Sequence, residues 1–143
     1  MRFLLIIFGL SLFSGCSSTS VQNFGNYSAV VNTNKALVNT IANDVVEQLQ
    51  VGNTPSTTMF YFTHKAEDNF GITIQNKLRS MGYAIADHSV ERVGKGKTLS
   101  YVIDNFDETT LLIRIYAGNK TFSRLYNIEQ NMAVPAGAWS RME

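Results

Sequence analysis

The chain has few of the residues that cross-link a fold or carry out catalysis. It contains one cysteine, two histidines and one tryptophan among 143 residues. With a single cysteine there is no disulfide within the chain, so hydrophobic packing must hold the fold together. Net charge is nearly absent as well, with 12 basic and 11 acidic side chains. That balance argues against non-specific nucleic-acid binding, which needs a basic face.

Long apolar runs are also missing, and the longest one lies at the amino end. It covers residues 3–13, which is shorter than the roughly 20 residues of a membrane-spanning helix. Met1-Arg2 precedes this run and Ser14-Gly15-Cys16 follows it. A basic start, an apolar run and small residues are the three parts of a secretory signal. We therefore predict a signal peptide over residues 1–15, whose removal takes Arg2 and leaves a formally neutral mature chain.

Cys16 lies where a bacterial lipoprotein carries its lipid. Ser14-Gly15-Cys16 resembles the end of a lipobox, with Phe13 where that motif usually has Leu, Val or Ile. The resemblance implies a diacylglycerol on the Cys16 sulfur, cleavage before this residue, and acylation of the new amino group by a fatty acid such as palmitate. In Gram-negative bacteria an Asp after the cysteine favours the inner membrane, so Ser17 implies the outer membrane, with the domain facing the periplasm. The alternative is an ordinary secretory signal followed by a free thiol.

Residues 16–32 are rich in Ser, Asn and Thr, with isolated apolar residues between them. Such a composition does not easily bury a core, and it predicts a flexible tether. Phe24 and Tyr27 leave a second interpretation open, in which these aromatic residues dock on the domain or on a partner. The remaining residues, 33–143, have the length of one ordinary domain.

Two amphipathic helices are predicted in the first half of this domain. Thr33 or Asn34 caps the first helix, and Asp68 or Asn69 caps the second. Gly71, in the first turn of the second helix, weakens that helix unless another group packs closely against it. Apolar residues recur every three or four positions in both helices: Leu37, Ile41, Val45 and Leu49 in the first, and Phe70, Ile74, Leu78 and Met81 in the second.

Short β-branched and aromatic runs predict five strands. The first two flank the second helix and indicate a βαβ unit, whereas the last three are spaced as antiparallel hairpins. Residues 131–143 show no period and predict an irregular tail. The expected fold is α+β, with one small mixed sheet of about five strands, two helices packed on one face, and the order α-β-α-β-β-β-β. The predicted strands are residues 57–63, 83–86, 98–104, 110–117 and 121–128.

Two features that suggest ligand binding fail on closer reading. Residues 94–98 have the composition of a phosphate loop, but the glycine spacing is wrong and a strand follows where a helix is required. His64 and His88 have no partners at metal-ligand spacing. We therefore expect neither a phosphate site nor a metal site.

Asp104, Asp107 and Glu108 cluster around a predicted turn. Paired carboxylates can act as acid and base or bind a cation, but at a turn they usually end strands and keep the hairpin soluble. We expect no enzyme activity, no catalytic residue and no cofactor-binding or metal-binding residue. The lipid on Cys16 is then the only attached group.

Several short segments of the domain together indicate a family: Phe70-Gly71, Gly82-Tyr83-Ala84-Ile85, residues 99–107, Arg124-Leu125-Tyr126 and residues 135–141. With the lipoprotein start, these segments resemble TrbH, a lipoprotein of conjugative transfer systems in plasmids. The resemblance covers roughly residues 37–141. It implies a part in the type IV secretion apparatus for mating-pair formation, with no enzyme activity.

The function expected from these observations is that of a structural or assembly lipoprotein of a conjugative type IV secretion system, held at the outer membrane. Its partners would be other envelope subunits, with no direct nucleic acid and with oligomers possible inside the complex. The alternative is a periplasmic lipoprotein module that regulates a cell-envelope enzyme. Exposed aromatic and Arg side chains often anchor interfaces, and the candidates here are Arg114, Tyr116, Arg124, Tyr126 and, in an exposed tail, Trp139. We expect Arg124 and Tyr126 to be the cross-strand neighbours of Arg114 and Tyr116.

Overall fold

The computed structural model describes residues 27–28, 34–86 and 96–143. The predicted signal, Cys16, most of the predicted tether and His88 lie outside these ranges. The described residues form two helices and eight strands. In chain order these are β1 (Tyr27–Ser28), α1 (Lys35–Gln50), β2 (Met59–Phe62), α2 (Asn69–Ser80), β3 (Ala84–Ala86), β4 (Lys97–Asn105), β5 (Thr110–Ala117), β6 (Lys120–Glu129), β7 (Met132–Pro135) and β8 (Ser140–Met142).

All eight strands belong to one mixed sheet with the order β3-β2-β4-β5-β6-β7. β2 is parallel to β3 and β4, and the strands from β4 to β7 are antiparallel. β1 pairs with β4 beyond the end of β2, and β8 pairs with β6 beyond the end of β7. The predicted α+β class, with a mixed sheet and two helices, is confirmed, and β1, β7 and β8 are additional strands.

The carboxyl-terminal segment is not irregular, and that part of the prediction is wrong. β7 and β8 both pair with β6, at opposite ends of this long strand. A two-residue turn leads into β7, and its residues Gln130 and Asn131 have φ values of 48° and 65°. Such a turn normally signals itself by Asn-Gly or Asp-Gly. Gln-Asn lacks that signal, which is why the strand was missed.

Both helices form where the sequence predicts them because their caps and apolar stripes are local features. The Asn34 side chain accepts hydrogen bonds from the backbone N–H of Ala36 and Leu37, and Asp68 accepts one from Gly71. The predicted stripe of α1 is buried, as are Phe70, Ile74 and Leu78 of α2. These side chains share one core with inward-facing residues of the sheet: Leu99, Tyr101, Ile103, Leu111, Ile113 and Ile115.

Gly71 has the close neighbour that the sequence suggested. The Tyr101 hydroxyl donates a hydrogen bond of 2.6 Å to Asp68, the residue that caps α2. A Cβ on Gly71 would lie 2.2 Å from this hydroxyl and 2.9 Å from the Cβ of Ala66. Burial, followed by the hydrogen bond to Asp68, raises the pKa of the Tyr101 hydroxyl. The uncharged hydroxyl therefore joins the central strand to the helix across a gap that admits only glycine.

Replacement of Gly71 by alanine should lower the free energy of unfolding by about 1–3 kcal/mol, the usual cost of overpacking a core. The added methyl group pushes against a buried ring whose hydroxyl is held by Asp68. Gly137→Ala is the matched control, because a Cβ at that position meets no atom within 4 Å. Urea denaturation of both variants measures the difference, and equal midpoints would show that the Tyr101 contact imposes no constraint.

Candidate functional site

The register of β5 and β6 divides the predicted interface residues between the two faces of the sheet. Arg124 pairs with Ile113, whereas Arg114 pairs with Ser123. Directly paired residues share a face, so Arg124 and Tyr126 lie on the face that carries the helices. Arg114 and Tyr116 lie on the opposite side, which we call the second face. The expectation that these four side chains are cross-strand neighbours is wrong.

A turn one residue shorter than expected explains this error. Ala117 pairs directly with Lys120, so the hairpin has only two turn residues, Gly118 and Asn119. The sequence interpretation placed Lys120 in the turn as well, which would set Arg114 opposite Arg124. A shift of one residue between strands moves every side chain to the other face. Alternation along each strand was predicted well, but the offset between strands was not.

Arg124 and Tyr126 belong to a cluster that we call the tail clasp: Asp44 of α1, Arg124 and Tyr126 of β6, and Trp139. Nη1 of Arg124 lies 2.9 and 2.8 Å from the two carboxylate oxygens of Asp44. The Tyr126 hydroxyl donates to the same carboxylate. The Arg124 and Asp44 side chains are only 18% and 22% exposed, and Tyr126 is fully buried. The ion pair is therefore much better shielded from solvent than an ordinary surface salt bridge.

The clasp also fixes the segment between β7 and β8. Nε of Arg124 donates to the carbonyl oxygen of Gly137 at 2.7 Å, and its guanidinium lies 5.6 Å from the Trp139 ring centroid. The Trp139 ring meets Tyr126 edge-on at 6.4 Å. Trp139 is half-buried and packs against the core, so the expectation of an exposed tryptophan in an irregular tail is wrong. Burial, followed by the hydrogen bond to Asp44, raises the pKa of the Tyr126 hydroxyl.

The second face carries an apolar groove that sequence reasoning missed. An open cavity of about 280 Å³ lies between the end of β4, strands β5 and β6, and the segment before β8. Phe106, at its rim, is 65% exposed. Two features of the sequence could have indicated the groove: Phe106 directly follows a predicted strand, and a run of small residues precedes Trp139. The groove is lined mainly by Phe106, Leu112, Ser123, Leu125, Ala136 and Ala138.

The acidic residues after β4 shape a turn. The Asp107 carboxylate accepts a 2.8 Å hydrogen bond from the backbone N–H of Thr109. This hydrogen bond is the main reason that the pKa of Asp107 lies below its ordinary value. Asp107 and Glu108 are exposed and Asp104 is half-buried. Within residues 34–86 and 96–143, no group of three or more His, Cys, Asp or Glu side chains could hold a metal ion.

The other rejected features have structural roles. Nδ1 of His64 lies 3.1 Å from the Thr63 hydroxyl. Lys97 begins β4 directly after Gly96 and donates through Nζ to the Asn53 side chain, so a strand does follow the glycine-rich loop. In the part of the chain that the structure describes, neither helix combines the length and the apolarity needed to cross a membrane.

Comparison with known proteins places the chain in a family. The model of a family described as "Conjugal transfer protein TrbH" matches residues 19–143. No curated protein and no solved structure gives a significant match. The family description names a process, conjugal transfer, and no chemical reaction. Because the match covers most of the chain, this protein belongs to the TrbH family and is a component of a conjugal transfer system.

Proposed function

We propose that this protein is an outer-membrane-anchored lipoprotein and a structural or assembly component of the conjugative type IV secretion apparatus. The observation that carries the proposal is the family match over residues 19–143, which begins just beyond Cys16. The sequence before this match has the form of a lipoprotein signal ending at Cys16. The family thus supplies the process, and the amino-terminal sequence supplies the anchor. This match also favours the secretion role over regulation of a cell-envelope enzyme.

The domain is suited to a function carried out through contacts with other proteins. Its carboxyl-terminal segment is fastened to α1 and β6 by the tail clasp, so a partner meets an ordered surface and does not have to order it. Arg114 and Tyr116 are half-buried on the second face and stay candidates for contact with other envelope subunits. An arginine beside an aromatic residue suits an interface, because Arg and Tyr are both enriched among the residues that contribute most to binding, and Tyr gives a large contact area at a low cost in conformational entropy.

Co-purification from detergent-solubilised outer membrane tests this function. The full chain, tagged after Glu143, is expressed in cells that carry the transfer system, and the membranes are cross-linked before extraction. We expect other envelope subunits of the transfer apparatus to be recovered, and Tyr116→Ala to lower their yield. Lys65→Ala is the matched control, because the Lys65 side chain is 69% exposed on the loop before α2. Recovery of a cell-wall enzyme in place of transfer subunits would support the alternative function.

A further inference from the structure

β1 and β2 pair with the same edge of β4, and this restricts the path of the chain before β1. β2 pairs with β4 from Lys97 to Leu99, and the N–H of Thr63 also donates to the Leu99 carbonyl at 3.1 Å. β1 pairs with the same edge, where Tyr27 faces Val102. Both strands run parallel to β4. A straight continuation of β1 before Tyr27 would run along the line that β2 already occupies.

The helix face is closed to that segment. The chain that follows β2 turns to the helix face, because Ala66 lies against Gly71 and Asp68 bonds to Tyr101 there. Tyr101 and Ile103, the helix-facing residues of β4 at this point, are 1% and 0% exposed. The helix face is thus filled by the entry to α2 and by the core. The remaining route to β1 is over the second face, where Ser100 and Val102 of β4 are 6% and 9% exposed and are therefore also covered.

The groove lies on the line that this segment would follow. Tyr27, Val102, Arg114 and Ser123 are paired in one row across four strands. Neighbouring strands are about 4.8 Å apart, so Ser123 lies about 14 Å from Tyr27. Extended chain covers about 3.3 Å per residue, so an extended segment along this row would place Phe24 about 10 Å from Tyr27. A phenylalanine side chain at that distance would reach the groove, which Ser123 lines.

We propose that residues 21–26 of this chain cross the second face and that Phe24 fills the groove beside Phe106, Leu112 and Leu125. The apolar lining fits an aromatic side chain, and a docked Phe24 removes exposed apolar surface from water. The segment would pass over Arg114 and leave Tyr116, two residues further along β5, for a partner. Docking itself does not depend on the proposed lipid.

Docking changes what the tether does if Cys16 carries the lipid, a consequence that does rest on the proposed function. Residues 17–20 would be the only free link between the lipid and the domain. Four residues span at most about 14 Å. The second face would then be held close to the membrane surface, and the helix layer would face away from it.

Disulfide trapping in the full chain tests the docking. A cysteine is placed in turn at Asn23, Phe24 and Gly25, and each of these variants is combined with Ser123→Cys. Ser123→Cys replaces one small side chain by another of similar size. A disulfide requires Cα atoms within about 7 Å. We expect at least one pair to form an intramolecular disulfide, seen as complete loss of alkylation of both thiols without a reductant. Ser80→Cys, at the exposed end of α2, is the matched control and should leave both thiols free.

The other outcomes overturn the proposal. A disulfide between two copies of the chain would show that a second copy fills the groove, and one with another protein would show that a partner does. Free thiols in all three pairs would show that the segment lies elsewhere. The same pairs are made with Cys16→Ser, so that docking is scored whether or not the chain is anchored. If the Cys16→Ser chain loses its membrane anchor but still forms the disulfide, docking of the segment is shown to be independent of the lipid anchor.

Discussion

Replacement of Cys16 by serine should leave the precursor uncut by the lipoprotein pathway, release any mature protein from the membrane, and lower DNA transfer by roughly 100-fold or more, the range of effective concentration that tethering supplies. Each buried methylene of a lipid contributes about 0.8 kcal/mol, so three acyl chains hold a protein at a membrane far more firmly than one. Membrane fractionation, incorporation of labelled palmitate and transfer frequency together measure the effect.

Two further variants separate the lipid from its consequences. Ser17→Asp keeps the cysteine but carries the residue that favours the inner membrane, so it should take up palmitate and change its membrane fraction. Residues 17–143 behind a cleavable secretory signal give a processed domain with no anchor, which distinguishes loss of lipid from a signal that is not cut. If the Cys16→Ser chain sediments with membranes and supports transfer as the wild type does, Cys16 is not the anchor.

The parts of the fold that were predicted from sequence depend on local interactions. Asn34 and Asp68 cap their helices through side-chain contacts within three residues, and Gly71 signals a close approach that Tyr101 provides. These features are readable because the residues that determine them are neighbours in the chain. The predicted burial of Ile74 and Leu78 is confirmed for the same reason.

The errors concern contacts between distant residues. The partner of Arg124 depends on whether a turn has two or three residues, and that one difference decides which face Arg124 and Tyr126 occupy. Trp139 lies in a segment without a period, and its packing depends on Arg124 and on Tyr126. The groove likewise depends on strands whose offset the sequence leaves open. Interface candidates chosen by residue type alone therefore mixed outward side chains with members of the core.

The tail clasp leads to the largest expected loss of stability. Asp44→Ala should lower the free energy of unfolding by about 2–4 kcal/mol, because Arg124 and the Tyr126 hydroxyl both lose the acceptor they share in a largely buried site. For a domain of this size that loss corresponds to a fall in melting temperature of about 10 °C or more. Glu67→Ala is the matched control. The Glu67 and Lys65 side chains form an ion pair but are 75% and 69% exposed, and such pairs contribute about 0–1 kcal/mol.

A double-mutant cycle shows whether the loss comes from the clasp. Asp44→Ala, Arg124→Ala and the double variant should give a coupling energy of about 1–3 kcal/mol, since the two side chains contact each other directly. Trp139→Ala should leave the Asp44–Arg124 pair in place but speed hydrogen exchange at the amides of β7 and β8, because the ring that covers Arg124 and Tyr126 is removed. If exchange in β7 and β8 is unchanged while transfer falls, Trp139 serves a partner and does not fasten the tail. If Asp44→Ala lowers the free energy of unfolding no more than Glu67→Ala does, the Asp44–Arg124 pair contributes no more to stability than an exposed pair. The pairing of β7 and β8 with β6 then holds the carboxyl-terminal segment without it.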